Sequence, residues 1–243
     1  YWPFKALLAA GTPPPFWTEL WKNDGKAVKP GSNPIGSAAE SGALHGELSR
    51  ADFPGDSGEE KRHKRGPLPP HITSTLQQEA YRKLGFSVAQ TMSVAQKLYE
   101  AGKITYMRTD STNLSSLALN TAREVITNEY GAGYSRVRQF KTHTRGAQEA
   151  HEAIRPTYFD RKEVTGNNNE KKLYELIWRR AIASQMADAR VEKTTITIGM
   201  SGSPVSFTAT GEVILFDGFL KVYTESFDGN VSDDEKVILP RVD

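Results

Sequence analysis

Residues 102–115 read GKITYMRTDSTNLS and lie between two stretches with helical patterning. Because side chains of an extended backbone point to alternate faces, Tyr106, Arg108 and Asp110 are expected to share one face. A phenol, a guanidinium that can hold a phosphate by two hydrogen bonds, and an acid together indicate attack on a phosphate. The alternative is a structural strand with polar residues on its exposed face, since strands favour aromatic residues.

The composition is that of a globular chain. It has 243 residues, of which 37% are hydrophobic and 25% charged, enough for one large or two ordinary domains. The 31 basic and 29 acidic residues give a net charge of only +2, so affinity for nucleic acid would have to come from local clusters. The absence of cysteine excludes disulfides, thiolate metal sites and cysteine nucleophiles. No run approaches the roughly 18 apolar residues of a membrane span, so we expect no membrane contact and a cytoplasmic location.

The middle of the chain, residues 67–190, has helical patterning. Helices are predicted at residues 73–84, 87–101, 115–130, 147–155 and 170–187. Gly85 is expected to end the first, and Ser87 and Ser115 to cap the second and third. The short one, AQEAHEAIR, would be stopped by Pro156. Between the second and third of these helices lie residues 102–115, called the tyrosine segment below, for which an extended conformation is expected.

Both ends of the chain have β-type patterns instead. Asn23, Asp24 and Gly25 indicate a hairpin turn, and TTITIGM, VSFTATGEVILF and GFLKVY after residue 190 are predicted strands. Within the first 66 residues, the stretch SAAESGALHGELSRADF (residues 37–53) favours a helix. Residues 54–70, PGDSGEEKRHKRGPLPP, predict a solvated linker or, through the KRHKR run, a strip that contacts phosphates. The fold class is therefore α+β and multidomain: a helical domain at 67–190, carrying Tyr106, inserted into a discontinuous β-rich domain formed by 1–66 and 191–243.

A tyrosine nucleophile needs help, because the pKa of a free phenol is near 10. His151, in QEAHEAIRP, could act as the base; the alternative is a hydrogen-bonded structural histidine. The HExxH pattern of zinc proteases is absent, since Arg155 stands where the second histidine would be.

Four motifs occur in order along the chain: PPHITSTLQQEA, ITYMRTDSTNLS, QEAHEAIRPT and ILFDGFLKVY. Together they closely resemble bacterial type IA DNA topoisomerase I. The match runs from about residue 1 to 243 and is looser over residues 10–65. Members of that family cut one DNA strand, pass another through the gap and reseal without ATP, which relaxes negative supercoils.

The resemblance implies a role for each motif residue. Tyr106 matches the nucleophile that becomes joined to a 5′-phosphate, Arg108 the arginine that positions that phosphate and offsets its charge, and His151 a histidine of proton relay. Candidate contacts to DNA are Asp110, Thr73, Ser74, Thr75 and Arg155. Asp110 could equally make a hydrogen bond within a turn, and the three hydroxyls could equally cap a helix.

The same resemblance implies Mg²⁺ in the full-length enzyme, held by an acidic DxDxxRE-type motif of a Toprim domain. Nothing in this chain matches that motif, and the chain begins with Tyr1 rather than methionine, so we expect an internal fragment of domains II and III. Its expected partners are single-stranded regions of negatively supercoiled DNA and the remaining domains of the polypeptide, with a cytoplasmic, nucleoid-associated location. The rival interpretation is a non-catalytic single-stranded DNA-binding module that uses the KRHKR run.

Overall fold

The computed structural model describes residues 5–8, 15–23, 26–27, 37–53, 55–140 and 151–223. Within these ranges the chain forms two compact units. A β unit contains the described residues up to His63 together with Val191–Leu215, and a helical unit contains Lys64–Arg190 and the described residues from Phe216 onward. Strands and helices are thus largely segregated, and the predicted α+β class is confirmed.

The β unit is built on one sheet. Its strands are β1 (Lys5–Leu8), β2 (Phe16–Asn23), β3 (Lys26–Ala27), β4 (Gly55–Arg65), β5 (Ala189–Met200) and β6 (Ser203–Phe216). The order across the sheet is β1-β2-β6-β5-β4, with β3 paired to β2. β2 and β3 are antiparallel, as the hairpin prediction requires, although Asp24 and Gly25 of the turn lie outside the described residues. In β2 buried Phe16, Thr18 and Leu20 alternate with exposed neighbours, so one face of the sheet forms the core.

In the part of the chain that the structure describes, one helix covers that face. The predicted helix near residue 40 is observed as α1 (Ala38–Leu48), whose N-terminus is capped by the Ser37 hydroxyl, which accepts from the Glu40 N–H at 3.2 Å. Leu44 of α1 packs with Leu20 and Phe207 of the sheet in one buried cluster. The core of this unit is therefore one helix against one sheet face.

The described residues of the helical unit form four α-helices: α2 (Thr73–Leu84), α3 (Val88–Glu100), α4 (Ser116–Tyr130) and α5 (Asn168–Ser184). Their N-terminal and C-terminal signals act as predicted. Ser87 and Ser115 cap α3 and α4, and Gly85 ends α2 in the left-handed conformation at φ 69°. Leu76, Leu98 and Ile177 are among the fully buried residues where the helices meet. None of the helices in the described ranges has the length and apolar character needed to cross a membrane.

Residues 55–65, part of the stretch that predicts a solvated linker or a phosphate-contacting strip, form β4 at the edge of the sheet. The linker prediction is wrong there, and the phosphate contact stays a prediction. Charged side chains suit an edge strand because they discourage pairing with other chains. Part of the basic charge is neutralised there: Arg62 Nε donates to Glu192 Oε2 at 2.7 Å, and Lys61 pairs with Glu59 at 2.7 Å.

The prediction of a short helix at residues 147–155 is wrong for the described part of that range. Residues 151–155 are not helical, and residues 147–150 lie outside the described residues. Pro156 disfavours a helical conformation of Arg155. In addition, the Ile154 N–H donates to the His71 carbonyl at 2.8 Å, a bond to another segment that replaces the helical one.

The last predicted strand, GFLKVY, is instead a short 3-10 helix at Gly218–Lys221. Gly218 has φ 51°, which turns the chain after β6 and carries Phe219, Val222 and Tyr223 into the core of the helical unit. The Phe219 N–H donates to the Ala187 carbonyl at 3.0 Å and fixes this turn. The turn therefore belongs to the helical unit rather than to the sheet.

We expect Gly218→Ala to destabilise the helical unit by at least about 2 kcal/mol, because the residue has a positive φ and an added Cβ would meet the Asp188 carbonyl oxygen at 2.7 Å. Urea unfolding would measure the change. The matched control is Gly133→Ala, since its added Cβ meets nothing within 4 Å, and it should unfold like the parent. Equal stability of the two variants would contradict the assigned role of Gly218.

Candidate active site

The tyrosine segment keeps the predicted alternation without being a regular strand. Tyr106, Arg108 and Asp110 are exposed, and the intervening Met107 and Thr109 are buried. Among the described residues, the one ladder-type contact made by this segment is an isolated bridge between Ile104 and Pro156. The prediction of a shared face for the three polar residues fits this burial pattern, but the predicted strand is replaced by an irregular extended segment.

One side of the segment is held by residues 153–157. The Thr105 N–H donates to the Arg155 carbonyl at 2.9 Å, and the Thr157 N–H donates to the Lys103 carbonyl at 2.9 Å. The Thr105 hydroxyl adds a bond to the Ala153 carbonyl at 2.7 Å. These bonds satisfy backbone groups that a lone extended segment would leave unpaired.

The other side is held by the start of α2. The Thr73 N–H donates to the Thr109 carbonyl at 3.0 Å, and the Thr109 N–H donates to the Thr73 hydroxyl at 2.9 Å. The same hydroxyl lies 2.9 Å from the Met107 carbonyl oxygen and 3.0 Å from that of Thr109, and can donate to either. The backbone on both sides of Arg108 is thus fixed by one threonine.

Tyr106 itself is 45% exposed, so its side chain is accessible to a macromolecular substrate. Its ring makes an edge contact with the ring of Tyr99 in α3, with centroids 5.2 Å apart. That contact restricts the ring without burying it. An accessible phenol beside an exposed guanidinium on a fixed backbone is a suitable arrangement for attack on a phosphate.

His151 is exposed at the start of the segment that flanks the tyrosine segment. The next residue, Glu152, is anchored: its carboxylate accepts from the Ser115 N–H at 2.6 Å and from Arg155 Nη2 at 2.6 Å. Partial burial would raise the pKa of Glu152, but the hydrogen bonds from Ser115 and Arg155 outweigh it and lower that pKa. An ionised Glu152 therefore fixes the backbone from which His151 projects.

The candidate contacts to DNA divide into exposed and internally bonded groups. Asp110 and Ser74 are exposed. The Thr75 hydroxyl accepts from the Ile72 N–H at 3.0 Å, which is the capping alternative. Arg155 is bonded to the Glu152 carboxylate and to the Pro156 carbonyl at 2.9 Å, so its guanidinium already has partners within the protein.

Beneath the start of α2 lies a buried charged network that the sequence did not indicate. Arg180 of α5 donates to Glu79 Oε2 at 3.1 Å, to the Tyr223 hydroxyl at 2.7 Å and to the Pro69 carbonyl at 2.6 Å. Lys83 pairs with Glu79 at 2.6 Å, and Tyr223 donates to the same carboxylate. The signal that could have revealed it is a charged residue within the apolar stripe of each of two helices, Glu79 beside Leu76 and Ala80, and Arg180 beside Ile177 and Ala181.

Charge states in this network follow from burial and pairing. Burial would raise the pKa of Glu79, but the surrounding donors and cations lower it, so the carboxylate remains ionised. Burial raises the pKa of Tyr223, which remains protonated and able to donate. Fully buried His71 has its pKa lowered to about 3, chiefly by burial, and is therefore neutral at pH 7. Its Nε2 lies 3.5 Å from Glu79 Oε2.

A magnesium site does not fit the residues described here. Across residues 5–8, 15–23, 26–27, 37–53, 55–140 and 151–223, no group of three or more histidine and carboxylate side chains could hold a metal ion. The chemistry assigned below is therefore derived from Tyr106 and its neighbours alone.

The family model described as DNA topoisomerase matches residues 13–243. The chain belongs to the bacterial DNA topoisomerase I family. The type IA resemblance seen in the sequence is thereby confirmed. DNA topoisomerase 1 of Mycolicibacterium smegmatis is 43% identical over 275 residues, covering 100% of this chain, and that of Mycobacterium tuberculosis (strain H37Rv) is 51% identical over 201 residues, covering 76%.

A solved structure of a family member has the same fold. Full-length topoisomerase I from Thermotoga maritima matches 93% of this chain with a TM-score of 0.72 and 33% identity. The chain spans only part of each relative: 29% of the M. smegmatis protein, 22% of the M. tuberculosis protein and 37% of the Thermotoga chain.

We expect the helical unit to lose about 2 kcal/mol of unfolding free energy between about pH 6.5 and pH 4.5. The pKa of His71 falls from 6.5 to about 3 on folding, so in this range the unfolded state binds the proton and the folded state does not. Urea unfolding as a function of pH would measure the loss, which His71→Gln should reduce. His45→Gln, at an exposed position, is the control and should keep the parental slope.

Proposed function

We propose that this chain supplies the nucleophile and the phosphate-positioning arginine of a type IA DNA topoisomerase. The Tyr106 oxygen attacks a phosphorus atom of one DNA strand. A tyrosine–phosphorus ester forms with the 5′-phosphate, and the bond to the 3′-oxygen breaks. The phenol proton is lost, and the departing 3′-oxygen gains a proton. Reversal of the same step reseals the strand, and because the ester retains the bond energy, ATP is not needed.

The observation that carries this proposal is the exposure of Tyr106 and Arg108 on one face of a segment whose backbone is held from both sides. A guanidinium two residues from the nucleophile can hold the phosphate oxygens and stabilise the charge that develops on them. Because the segment is fixed before DNA arrives, the reacting groups need little rearrangement. Family membership makes DNA the expected substrate.

For His151 we propose proton transfer to or from the reacting oxygens. It is exposed, and the anchored Glu152 and the pairing of residues 153–157 hold its backbone beside the tyrosine segment. Histidine is the side chain that most often transfers protons in enzymes. Asp110 and Ser74, both exposed, are proposed as contacts to the DNA strand.

The remaining assignments follow from the family. We propose that the helical unit around Tyr106 is the inserted domain and the β unit the domain that receives it. The substrate would be a single-stranded region of negatively supercoiled DNA, and the protein would act in the cytoplasm on the nucleoid. Mg²⁺ would be bound by a part of the protein beyond the residues described here.

The nucleophile is tested by Tyr106→Phe in the intact protein. We expect no covalent adduct with a labelled single-stranded oligonucleotide after denaturation in detergent, because the attacking oxygen is gone. Tyr99→Phe is the matched control: it removes a hydroxyl from the neighbouring ring and should leave the adduct in place. An adduct that persists in Tyr106→Phe would show that another residue is the nucleophile. Salt-dependent DNA binding without any adduct in the parent would instead favour the single-stranded DNA-binding module.

A polypeptide of these 243 residues alone should not relax negatively supercoiled plasmid in the presence of Mg²⁺. The reason is that its described residues hold no cluster of acidic ligands for the metal. Gel electrophoresis of the plasmid topoisomers would measure this. Relaxation by the purified polypeptide would contradict the expectation that the metal-binding carboxylates lie elsewhere.

A further inference from the structure

Thr73 has an unusual environment for a residue in the first turn of a helix. The N-cap of α2 is Ile72, and the capping hydroxyl is that of Thr75. The Thr73 hydroxyl is not used for capping. It points away from its own helix to the carbonyl oxygens of Met107 and Thr109, at 2.9 and 3.0 Å, which lie 34 and 36 residues further along the chain.

These two carbonyls belong to the residues on either side of Arg108. Thr109 is bound twice more by the same residue, since its carbonyl accepts from the Thr73 N–H at 3.0 Å and its N–H donates to the Thr73 hydroxyl at 2.9 Å. A residue between two fixed neighbours has little freedom to rotate about its backbone. The direction in which the Arg108 side chain leaves the backbone is therefore set by Thr73.

Thr73 is itself immobile. Leu76, one turn later in α2, is fully buried, and the preceding His71 carbonyl accepts from the Ile154 N–H at 2.8 Å. The Pro69 carbonyl accepts from Arg180 of the buried network at 2.6 Å. Thr73, which holds the tyrosine segment through these hydrogen bonds, is thus itself held by the core of the helical unit.

We propose that Thr73 is a positioning residue that acts through Arg108, so that its hydroxyl aims the guanidinium at the phosphate attacked by Tyr106. This rests on the proposed function. It assigns Thr73 a role within the protein in place of the direct DNA contact suggested by the sequence. Apolar packing alone would not supply this role, because the hydroxyl donates to the backbone oxygen of Met107 or of Thr109 and accepts from the Thr109 N–H.

The test uses Thr73→Val in the intact protein, since valine keeps the shape of threonine and removes the hydroxyl. The rate of covalent adduct formation on a labelled single-stranded oligonucleotide should fall about 10- to 100-fold, because a small misplacement of a charged group has effects of this size. The affinity for the same oligonucleotide, measured without cleavage, should change less than about twofold, as few contacts to DNA are lost. Thr73→Ser, which keeps the hydroxyl, should restore most of the rate.

Thr91→Val is the matched control. Thr91 is fully buried in α3, and its hydroxyl also donates to a carbonyl, that of Ser87 at 2.9 Å, but this bond lies within its own helix. It should lower stability without slowing adduct formation. If Thr73→Val does not fold, as judged by thermal unfolding, Thr73→Ala is measured against the same expectations.

A double-mutant cycle separates positioning from general damage. In an Arg108→Ala background, Thr73→Val should slow adduct formation by less than about twofold further, because the group it aims is missing. Independent, multiplying losses would overturn the proposal, as would a parental rate in Thr73→Val. Failure of the proposed function is distinguishable, since it would appear as an adduct that survives Tyr106→Phe or as no adduct in the parent.

Discussion

The site depends on how the chain satisfies the backbone polar groups of an irregular segment placed between helices. Residues 103–113 lack the regular ladder that a sheet would supply, yet several of their N–H and C=O groups are bonded, to residues 153–157 on one side and to Thr73 on the other. Unpaired buried groups would each cost roughly 1–3 kcal/mol, so these bonds decide whether the segment exists in one conformation. These bonds are made by backbone groups and buried side chains. The side chains of Tyr106 and Arg108 remain exposed and available to a substrate.

The buried network determines where that scaffold begins. Arg180 connects α5, α2 and the residue Tyr223 beyond β6 through the ionised Glu79 carboxylate, and it also bonds the Pro69 carbonyl just ahead of α2. A buried ion pair adds little net stability over a well-packed apolar cluster, since desolvation offsets much of the attraction. Its directional bonds, however, fix the relative positions of these elements. Since Thr73 is the first residue of α2, the same bonds also determine the position of Thr73 against the tyrosine segment.

The sequence predicted the parts of the fold that depend on local signals. The caps at Ser87 and Ser115, and the left-handed Gly85, place helix ends correctly because capping is settled within a few residues. It failed where distant partners decide. Residues 151–155 are not helical because they bond to residues 71, 105 and 113, and β4 is a strand because β5 lies beside it. The exposed face of Tyr106, Arg108 and Asp110 could be predicted from alternation alone, whereas the Glu79 network required knowledge of which helices pack together.

The polar residues around the tyrosine differ in whether their hydrogen bonds are made within the protein. Three of these residues are of types that bind phosphate well, yet each makes hydrogen bonds within the protein: Thr73, Thr75 and Arg155. A guanidinium that neutralises Glu152 and bonds carbonyls has less charge to offer DNA than the exposed Arg108. The polar residues near Tyr106 therefore divide into exposed groups and groups that are bonded within the protein. The division depends on which side chains are hydrogen-bonded to the irregular backbone, and those bonds join residues far apart in the sequence.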